Sequence, residues 1–172
     1  MEISILKDNK KYKDRLYEML KAADDEFVPP LSARSSTTQK NLAGGEKSED
    51  GIKSYFDEMM QQKIMVAKEN GKIIAFVSFR ENHIIPEISE TPNIYLSTLS
   101  VSKEGRGKGI TYSMYERLFE EYKNSYVFTR TWSTNYAHIK ILSKFDFDII
   151  KTLKDDRGVG IDTVYFKKNR RD

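Results

Sequence analysis

The chain has 172 residues, 38% of them hydrophobic and 32% charged, with a formal net charge of +3. This composition predicts one globular domain over residues 1–172, and the absence of cysteine excludes disulfides, thiolate metal sites and a cysteine nucleophile. The two histidines are isolated and no apolar run is long enough to cross a bilayer, so we expect a cytoplasmic protein without a metal site or membrane partner.

The first third of the chain predicts a strand, two helices and a long connection. Residues 2–6 alternate apolar and polar side chains, which is typical of an edge strand. Residues 10–23 carry apolar side chains at helical spacing. Residues 28–51 are rich in Pro, Ser, Thr and Gly, which predicts either a functional lid or a disordered segment. Residues 51–62 predict a second, short helix.

The middle of the chain predicts three strands. Two apolar runs within residues 64–81 flank Asn70-Gly71, a dipeptide that tolerates positive φ at both positions of a tight turn. This pattern predicts a β-hairpin. Residues 83–92 are then a connection, and residues 93–101 a further strand.

After Gly109 the pattern changes to the helical period, with apolar residues at intervals of four: Ile110, Met114, Leu118 and Tyr122. A helix ending near Tyr122 and a strand over residues 126–132 follow.

The last part of the chain predicts one helix and two strands. Residues 133–135 offer N-caps for a helix over residues 136–145, and residues 146–153 and 161–168 form a final strand pair. The element order is β-α-α-β-β-β-α-β-α-β-β. It predicts an α/β domain with a mixed sheet and helices on both faces.

The string GRGKGIT, residues 105–111, lies between a strand and a helix and is called here the glycine loop. It is either a flexible surface turn or a cradle for phosphates, since the first amides of a helix have no intrahelical partner and glycine lets the backbone approach a ligand. The spacing matches neither a Walker A loop nor the G-x-G-x-x-G dinucleotide fingerprint.

Read as R-x-x-G-x-T, the glycine loop resembles the pyrophosphate loop of the GCN5-related N-acetyltransferase (GNAT) family, which has Gln or Arg, two residues, Gly, one residue, then Gly or Ala. Leu99-Ser100-Val101 fits the fourth strand of that family. Residues 134–147 resemble its late helix through Asn135, Lys144 and Phe147. The element order also matches.

The resemblance implies a GNAT-like mixed, mostly antiparallel sheet with splayed central strands and helices on both faces. It implies that acetyl-CoA lies between the fourth and fifth strands, with its pyrophosphate on the amides of residues 106–111 and with the Leu99 amide at the thioester oxygen. The cofactor-binding residues implied in this way are Leu99, Val101, Arg106, Gly107, Lys108, Gly109, Ile110, Thr111, Asn135 and Lys144.

The sequence departs from the family pattern at two positions. Thr111 replaces the usual Gly or Ala, and its hydroxyl could bond a phosphate oxygen. Leu142 replaces a tyrosine that protonates the departing thiolate in many members, and helical spacing from Asn135 predicts that Leu142 faces the site. The reaction could then proceed without a general acid, because a thiolate is a tolerable leaving group near neutral pH, or the proton could come from Tyr136, His138 or a water molecule.

Four other features have two interpretations each. His138 either packs at the edge of an apolar face or contacts the reacting groups. The acidic residues 24–26 either form a solvated helix end or attract an amine substrate. Trp132 either packs in the core or lines the acceptor pocket. Tyr95 stands where some members carry a general base, but tyrosine is a poor base at neutral pH.

The resemblance predicts an acetyl-CoA-dependent N-acetyltransferase, and without cysteine we expect direct transfer to an amine in a ternary complex. A non-catalytic acyl-CoA sensor is the alternative. A nucleic-acid-binding module using the glycine loop and the basic KKNRR end is disfavoured because neither stretch has interleaved aromatics. The acceptor, a small-molecule or peptide amine, stays open among polyamine, aminoglycoside-like amine, amino acid and protein N-terminus, and a homodimer is compatible with the family.

Overall fold

The computed structural model describes residues 1–171. Its strands are β1 (Glu2–Ile5), β2 (Lys63–Glu69), β3 (Lys72–Glu81), β4 (Asn93–Val101), β5 (Tyr126–Trp132), β6 (Asp148–Leu153) and β7 (Thr163–Lys168). Its α-helices are α1 (Lys13–Ala22), α2 (Glu49–Met59), α3 (Ile110–Glu121) and α4 (Tyr136–Lys144). Each predicted strand and helix is present, with ends that differ by at most three residues. None of the helices within residues 1–171 has the length and apolarity that a membrane crossing requires.

Local chemistry explains several of these boundaries. Asn70 and Gly71 adopt φ of 50° and 78°, which confirms the tight turn between β2 and β3. The side chain of Ser48 accepts a hydrogen bond from the amide of Gly51 and so begins α2. The side chain of Asn135 accepts from the amide of His138 and begins α4 in the same way.

The seven strands form one sheet in the order β1-β2-β3-β4-β5-β7-β6, and every neighbouring pair is antiparallel except β4 and β5. The parallel ladder joins residues 93–96 of β4 to residues 126–129 of β5 and then stops. Because β4 continues to Val101 and β5 to Trp132, the two strands separate beyond this point. The prediction of a mostly antiparallel mixed sheet with splayed central strands is confirmed.

Helices cover both faces of the sheet, as predicted. On one face α3 and α4 pack over a core that includes Met65, Val77, Phe79, Leu96, Met114, Leu118, Leu142 and Phe166. On the other face α1 and α2 pack over a core that includes Leu16, Leu20, Leu31, Phe56, Ile64, Val66 and Phe76. Side chains along β2 point alternately to the two faces of the sheet, so the neighbouring residues Met65 and Val66 belong to different cores.

The connection over residues 28–51 is ordered and packed, so its interpretation as a disordered segment is wrong. Leu31 and Leu42 are buried within it. Thr37 donates from its hydroxyl to Glu58 of α2 at 2.6 Å. A Cβ added at Gly51 would lie 2.2 Å from the carbonyl oxygen of Ser32, which shows how closely the connection approaches the start of α2. The polar composition of residues 28–51 gives no indication of these contacts, which form only with distant parts of the chain.

Candidate functional site

A cavity of about 330 Å³ occupies the gap where β4 and β5 separate, and is called here the β4–β5 cavity. Its walls include residues 96–101 of β4, residues 129–132 of β5, the beginnings of α3 and α4, and parts of the connection between α1 and α2. A cavity between two splayed strands offers unpaired backbone groups to a ligand, which a packed sheet does not.

A β-bulge sets the direction of the backbone along this part of β4. Ser78 of β3 pairs with Thr98, and Phe79 pairs with Leu96, so Ser97 is an extra residue. Beyond the bulge, the Ser102 amide donates to Ile74 on the β3 side. Strand alternation therefore turns the backbone groups of Leu99 and Val101 away from β3 and toward the cavity.

The glycine loop presents a run of free amides. Within residues 1–171, the amides from Gly107 to Tyr112 have no hydrogen-bond acceptor, and Ser113 is the first residue to bond back, to Gly109. Gly107 and Gly109 adopt φ of 73° and 69°, a conformation that favours glycine. Successive amides in such a loop, continued by a helix N-terminus, form a concave anion site. The expected run of residues 106–111 is shifted by one, because the Arg106 amide donates to Lys103.

The two cations of the glycine loop are paired with carboxylates from other elements. Arg106 donates to Glu26 at 2.5 Å, and Lys108 lies 2.9 Å from Glu69. Arg106 also donates through Nε to the carbonyl of Val101, which ties the loop to the end of β4. The side chains thus stabilise the shape of the loop, while the backbone supplies the free donors.

The structure brings six of the twelve predicted site residues to the β4–β5 cavity. Those that line it are Leu99, Val101, Arg106, Thr111, Asn135 and His138. Gly107, Lys108 and Gly109 lie in the glycine loop, and the side chain of Ile110 packs in the core beneath it. Asn135 also donates to Thr131 of β5 at 2.9 Å, so the residue that begins α4 is fixed to the cavity wall.

Three expectations about α4 need correction. Leu142 does not face the site, because it is fully buried in the core beneath α3 and α4. Tyr136 does not reach the cavity, since its side chain is 73% exposed. Lys144 is exposed at the far end of the helix, away from the wall. The residues of α4 that face the cavity are instead Ala137, His138 and Ile141.

Tyr115 is a site residue that the sequence did not single out. Helical spacing on α3 predicts only that it packs near the core, and it is indeed 1% exposed. Its hydroxyl nevertheless lies 2.8 Å from Nε2 of His138, and both side chains line the cavity. Burial raises the pKa of Tyr115, and burial lowers the pKa of His138 to about 4. Near neutral pH the pair therefore consists of a protonated phenol and an uncharged imidazole.

The imidazole of His138 is expected to titrate near pH 4 rather than at its ordinary value of 6.5. The folded state then binds fewer protons than the unfolded state between these values, so this group costs stability as the pH falls from 6.5 to 4 and not above. An NMR titration of the imidazole resonances measures the midpoint, with His83→Gln to assign the two histidines. A midpoint near 6.5 would show that His138 is solvated.

The other candidates for acid–base roles are also placed by the structure. Tyr95 lies outside the cavity wall, and burial raises its pKa to about 12, so it is unsuited to act as a base. Asp24 accepts from the amide and hydroxyl of Ser32, and Asp25 from Lys47. Of the three acids at residues 24–26, Glu26 lines the cavity.

The cavity wall also contains three arginines that the sequence did not single out: Arg34, Arg130 and Arg157. They come from the α1–α2 connection, from β5 and from the β6–β7 turn. Nothing in their local sequence marks them, since only the tertiary fold brings them together.

Solved structures share this fold along almost the whole chain. A ribosomal-protein-alanine N-acetyltransferase from Brucella melitensis is 16% identical with a TM-score of 0.68, and the match covers 98% of this chain and 99% of that one. An N-acetyltransferase from Staphylococcus aureus Mu50 is 19% identical with a TM-score of 0.64, over 98% and 99%. An aminoglycoside 6'-N-acetyltransferase complexed with coenzyme A is 14% identical with a TM-score of 0.68, over the full length of both chains.

No curated protein sequence matches the chain. The sequence model of one family does match, over residues 17–147, a range that contains the glycine loop and both strands of the gap. This match covers most of the chain and agrees with the fold and with the free amides of the glycine loop. The chain belongs to the acetyltransferase (GNAT) family, whose acetyl donor is acetyl-CoA.

Proposed function

We propose that the protein transfers an acetyl group from acetyl-CoA directly to a primary amine while both substrates are bound in the β4–β5 cavity. The observation that carries this proposal is the run of free amides from Gly107 to Tyr112 at one end of a cavity between splayed strands. With no cysteine in the chain, an acetyl-cysteine intermediate is excluded. Direct attack by the amine is the route that remains consistent with the cavity.

The backbone would hold the donor. The free amides of residues 107–112 fit a diphosphate, because a helix N-terminus and a loop with positive φ both direct N–H groups at an anion. The carbonyl of Leu99 and the amide of Val101 would hydrogen-bond the amide groups of the pantetheine arm, as an added strand does. Acetyl-CoA supplies the acetyl group as a thioester, and the chain positions it and stabilises charge.

The Leu99 amide is the proposed donor for the oxygen that becomes negative when the amine adds to the thioester carbonyl. The bulge at Ser97 turns this amide into the cavity, where no strand competes for it. A preorganised donor of this kind stabilises a transition state by about 2.7–4 kcal/mol. Its contribution comes from the backbone and does not depend on the leucine side chain.

Tyr115 is the proposed hydrogen-bond donor to the departing thiolate, in place of the tyrosine that position 142 lacks. When Nε2 of His138 carries the hydrogen, it donates to Tyr115 Oη, and the phenolic hydrogen is free to point into the cavity. His138 therefore acts as a positioning residue for Tyr115. Its low pKa keeps it neutral, so it adds no charge beside the sulfur.

Release of CoA thiol from acetyl-CoA, measured with a thiol reagent over a panel of primary amines, tests the function. We expect turnover by the wild type and a kcat about ten- to a hundredfold lower in Tyr115→Phe, the loss expected for one hydrogen bond to a charged group, with unchanged affinity for acetyl-CoA. His138→Gln, which retains a donor for Tyr115, should keep more activity than His138→Leu.

A different outcome would favour a non-catalytic sensor. In that case acetyl-CoA would raise the melting temperature while no amine in the panel released thiol. Normal turnover by Tyr115→Phe would remove the tyrosine from the mechanism and leave the transfer reaction in place.

A further inference from the structure

The wall of the β4–β5 cavity is strongly cationic. Among the described residues 1–171, four arginines line it, at positions 34, 106, 130 and 157, against one carboxylate at Glu26. Glu26 is already paired with Arg106 at the glycine-loop end. The three remaining arginines therefore leave the other end of the cavity with an excess of positive charge.

These three arginines have no acidic partner within residues 1–171. Arg34 is 7% exposed and donates twice to the carbonyl of Pro29. Arg157 is 5% exposed and donates to the hydroxyl of Thr163 and the carbonyl of Val28. Both are held in place by neutral groups, so their orientation is fixed without a direct ion pair to either guanidinium.

Arg130 is the arginine of this group that has an unused hydrogen-bond donor. Its Nη2 makes one long hydrogen bond of 3.4 Å to the carbonyl of Thr37, and the hydroxyl of Tyr165 lies close enough to favour its charged form. Its Nη1 is buried without a partner in the described chain. A guanidinium presents its N–H groups as a planar fork that matches a carboxylate. A buried donor without an acceptor is costly unless a ligand supplies one.

The nearby acids, Asp24 behind Arg34 and Asp156 behind Arg157, offset part of this charge but pair directly with none of the three arginines. Asp156 accepts from the Asn41 amide and the Thr163 hydroxyl and does not line the cavity. Glu58 is engaged by Arg80 and Thr37 on the far side of the wall. Burial, together with the charges of Arg34 and Arg130, lowers the pKa of Arg157 to about 9, so it remains charged at neutral pH.

Two aromatic rings complete this end of the cavity. Phe27 and Trp132 lie with ring centroids 5.9 Å apart, and both line the wall. The Arg34 guanidinium lies over Phe27 at 5.8 Å and that of Arg157 over Trp132 at 5.9 Å. These contacts hold two cations and two flat apolar surfaces around one space, in a cavity sized for a small molecule.

We propose that the acetyl acceptor is a small primary amine that carries a carboxylate, and that Arg130 binds this carboxylate with support from Arg34 and Arg157. The proposal rests on the acetyl transfer proposed above. Polyamines and aminoglycosides are polycations, and the same wall repels them. The cationic wall also favours the neutral form of the bound amine, which is the form that attacks a thioester, so it assists deprotonation.

The test compares each amino acid with its own carboxamide, for example phenylalanine with phenylalaninamide, and adds spermidine and kanamycin as polycations. The amine of the carboxamide is less basic and more often neutral, so any preference for the carboxylate must come from the protein. We expect kcat/KM to favour the carboxylate by about tenfold or more. That ratio should fall at least about fivefold in Arg130→Gln and recover in part in Arg130→Lys.

A second readout does not require turnover. Trp132 is the single tryptophan of the chain and lines the cavity beside Arg157, so its fluorescence reports on binding there. With CoA at saturation, the amino acid should bind about tenfold more tightly than the carboxamide in the wild type, and the difference should shrink in Arg130→Gln.

The outcomes separate the two proposals. Turnover with a preference for carboxamides or polycations would overturn the inference and leave the transferase function standing. Selective binding of the carboxylate without turnover of any amine would support the ligand class and refute acetyl transfer. Equal affinity for amino acid and carboxamide, by fluorescence, would overturn the inference whatever the turnover.

Discussion

Gly109→Asp is expected to raise the Kd for acetyl-CoA by about a hundredfold or more while the protein remains folded. The residue precedes α3 in the middle of the run of free amides, where a carboxylate would face the diphosphate. A Cβ at this position meets no atom within 4 Å, and aspartate tolerates positive φ better than most residues do. The loss should therefore come from charge repulsion and not from misfolding.

Gly109→Asn is the matched control, because it has the same shape and the same tolerance of positive φ without the charge. Calorimetric titration should show at most about a tenfold loss for Asn and a far larger loss for Asp, with similar melting temperatures for both free proteins. Equal affinities for the two variants would mean that the diphosphate does not lie at this loop.

Replacement of Leu99 by its α-hydroxy acid, which converts one backbone amide into an ester, is expected to lower kcat by about 10²–10³-fold. The change removes the N–H that is proposed to stabilise the developing oxyanion and keeps the side chain. Because this N–H faces the cavity and not β3, the sheet should lose no ladder bond. Acetyl-CoA affinity should change little.

The same ester at Val101 serves as the comparison. Its amide also faces the cavity but lies nearer the glycine loop, so its loss should raise the KM for acetyl-CoA more than it lowers kcat. Leu99→Ala, which retains the amide, should stay within a few-fold of the wild type. A full loss of kcat in Leu99→Ala, or none in the Leu99 ester, would contradict the role of this amide.

Local patterns predicted much of the fold. The Asn70-Gly71 turn, the change of period at Gly109 and the cap at Asn135 are each set by a few adjacent residues, and the structure has all three. The splay of β4 and β5 followed from the family resemblance and not from any local signal. The packing of residues 28–51 depends on contacts with α2 and the β6–β7 turn, so composition alone could not reveal it.

The backbone part of the candidate site was also accessible from the sequence, and most of its side chains were not. Helical spacing from Asn135 predicted that Leu142 faces the cavity. In the structure α4 is oriented with His138 and Ile141 toward the cavity and Leu142 in the core. Tyr115 looked like an ordinary core residue because nothing local shows that His138 meets its hydroxyl. The proposed role of Arg130 could not be predicted from the sequence, because Arg34 and Arg157 come from distant segments and meet it only in the folded chain.

A crystal structure of the protein with bound CoA would show whether the free amides of the glycine loop hold the diphosphate. We expect the diphosphate within hydrogen-bond distance of the amides of residues 107–112, the pantetheine arm between β4 and β5, and the thiol near the Leu99 amide. CoA bound at another surface, with the β4–β5 cavity lacking ligand density, would contradict it.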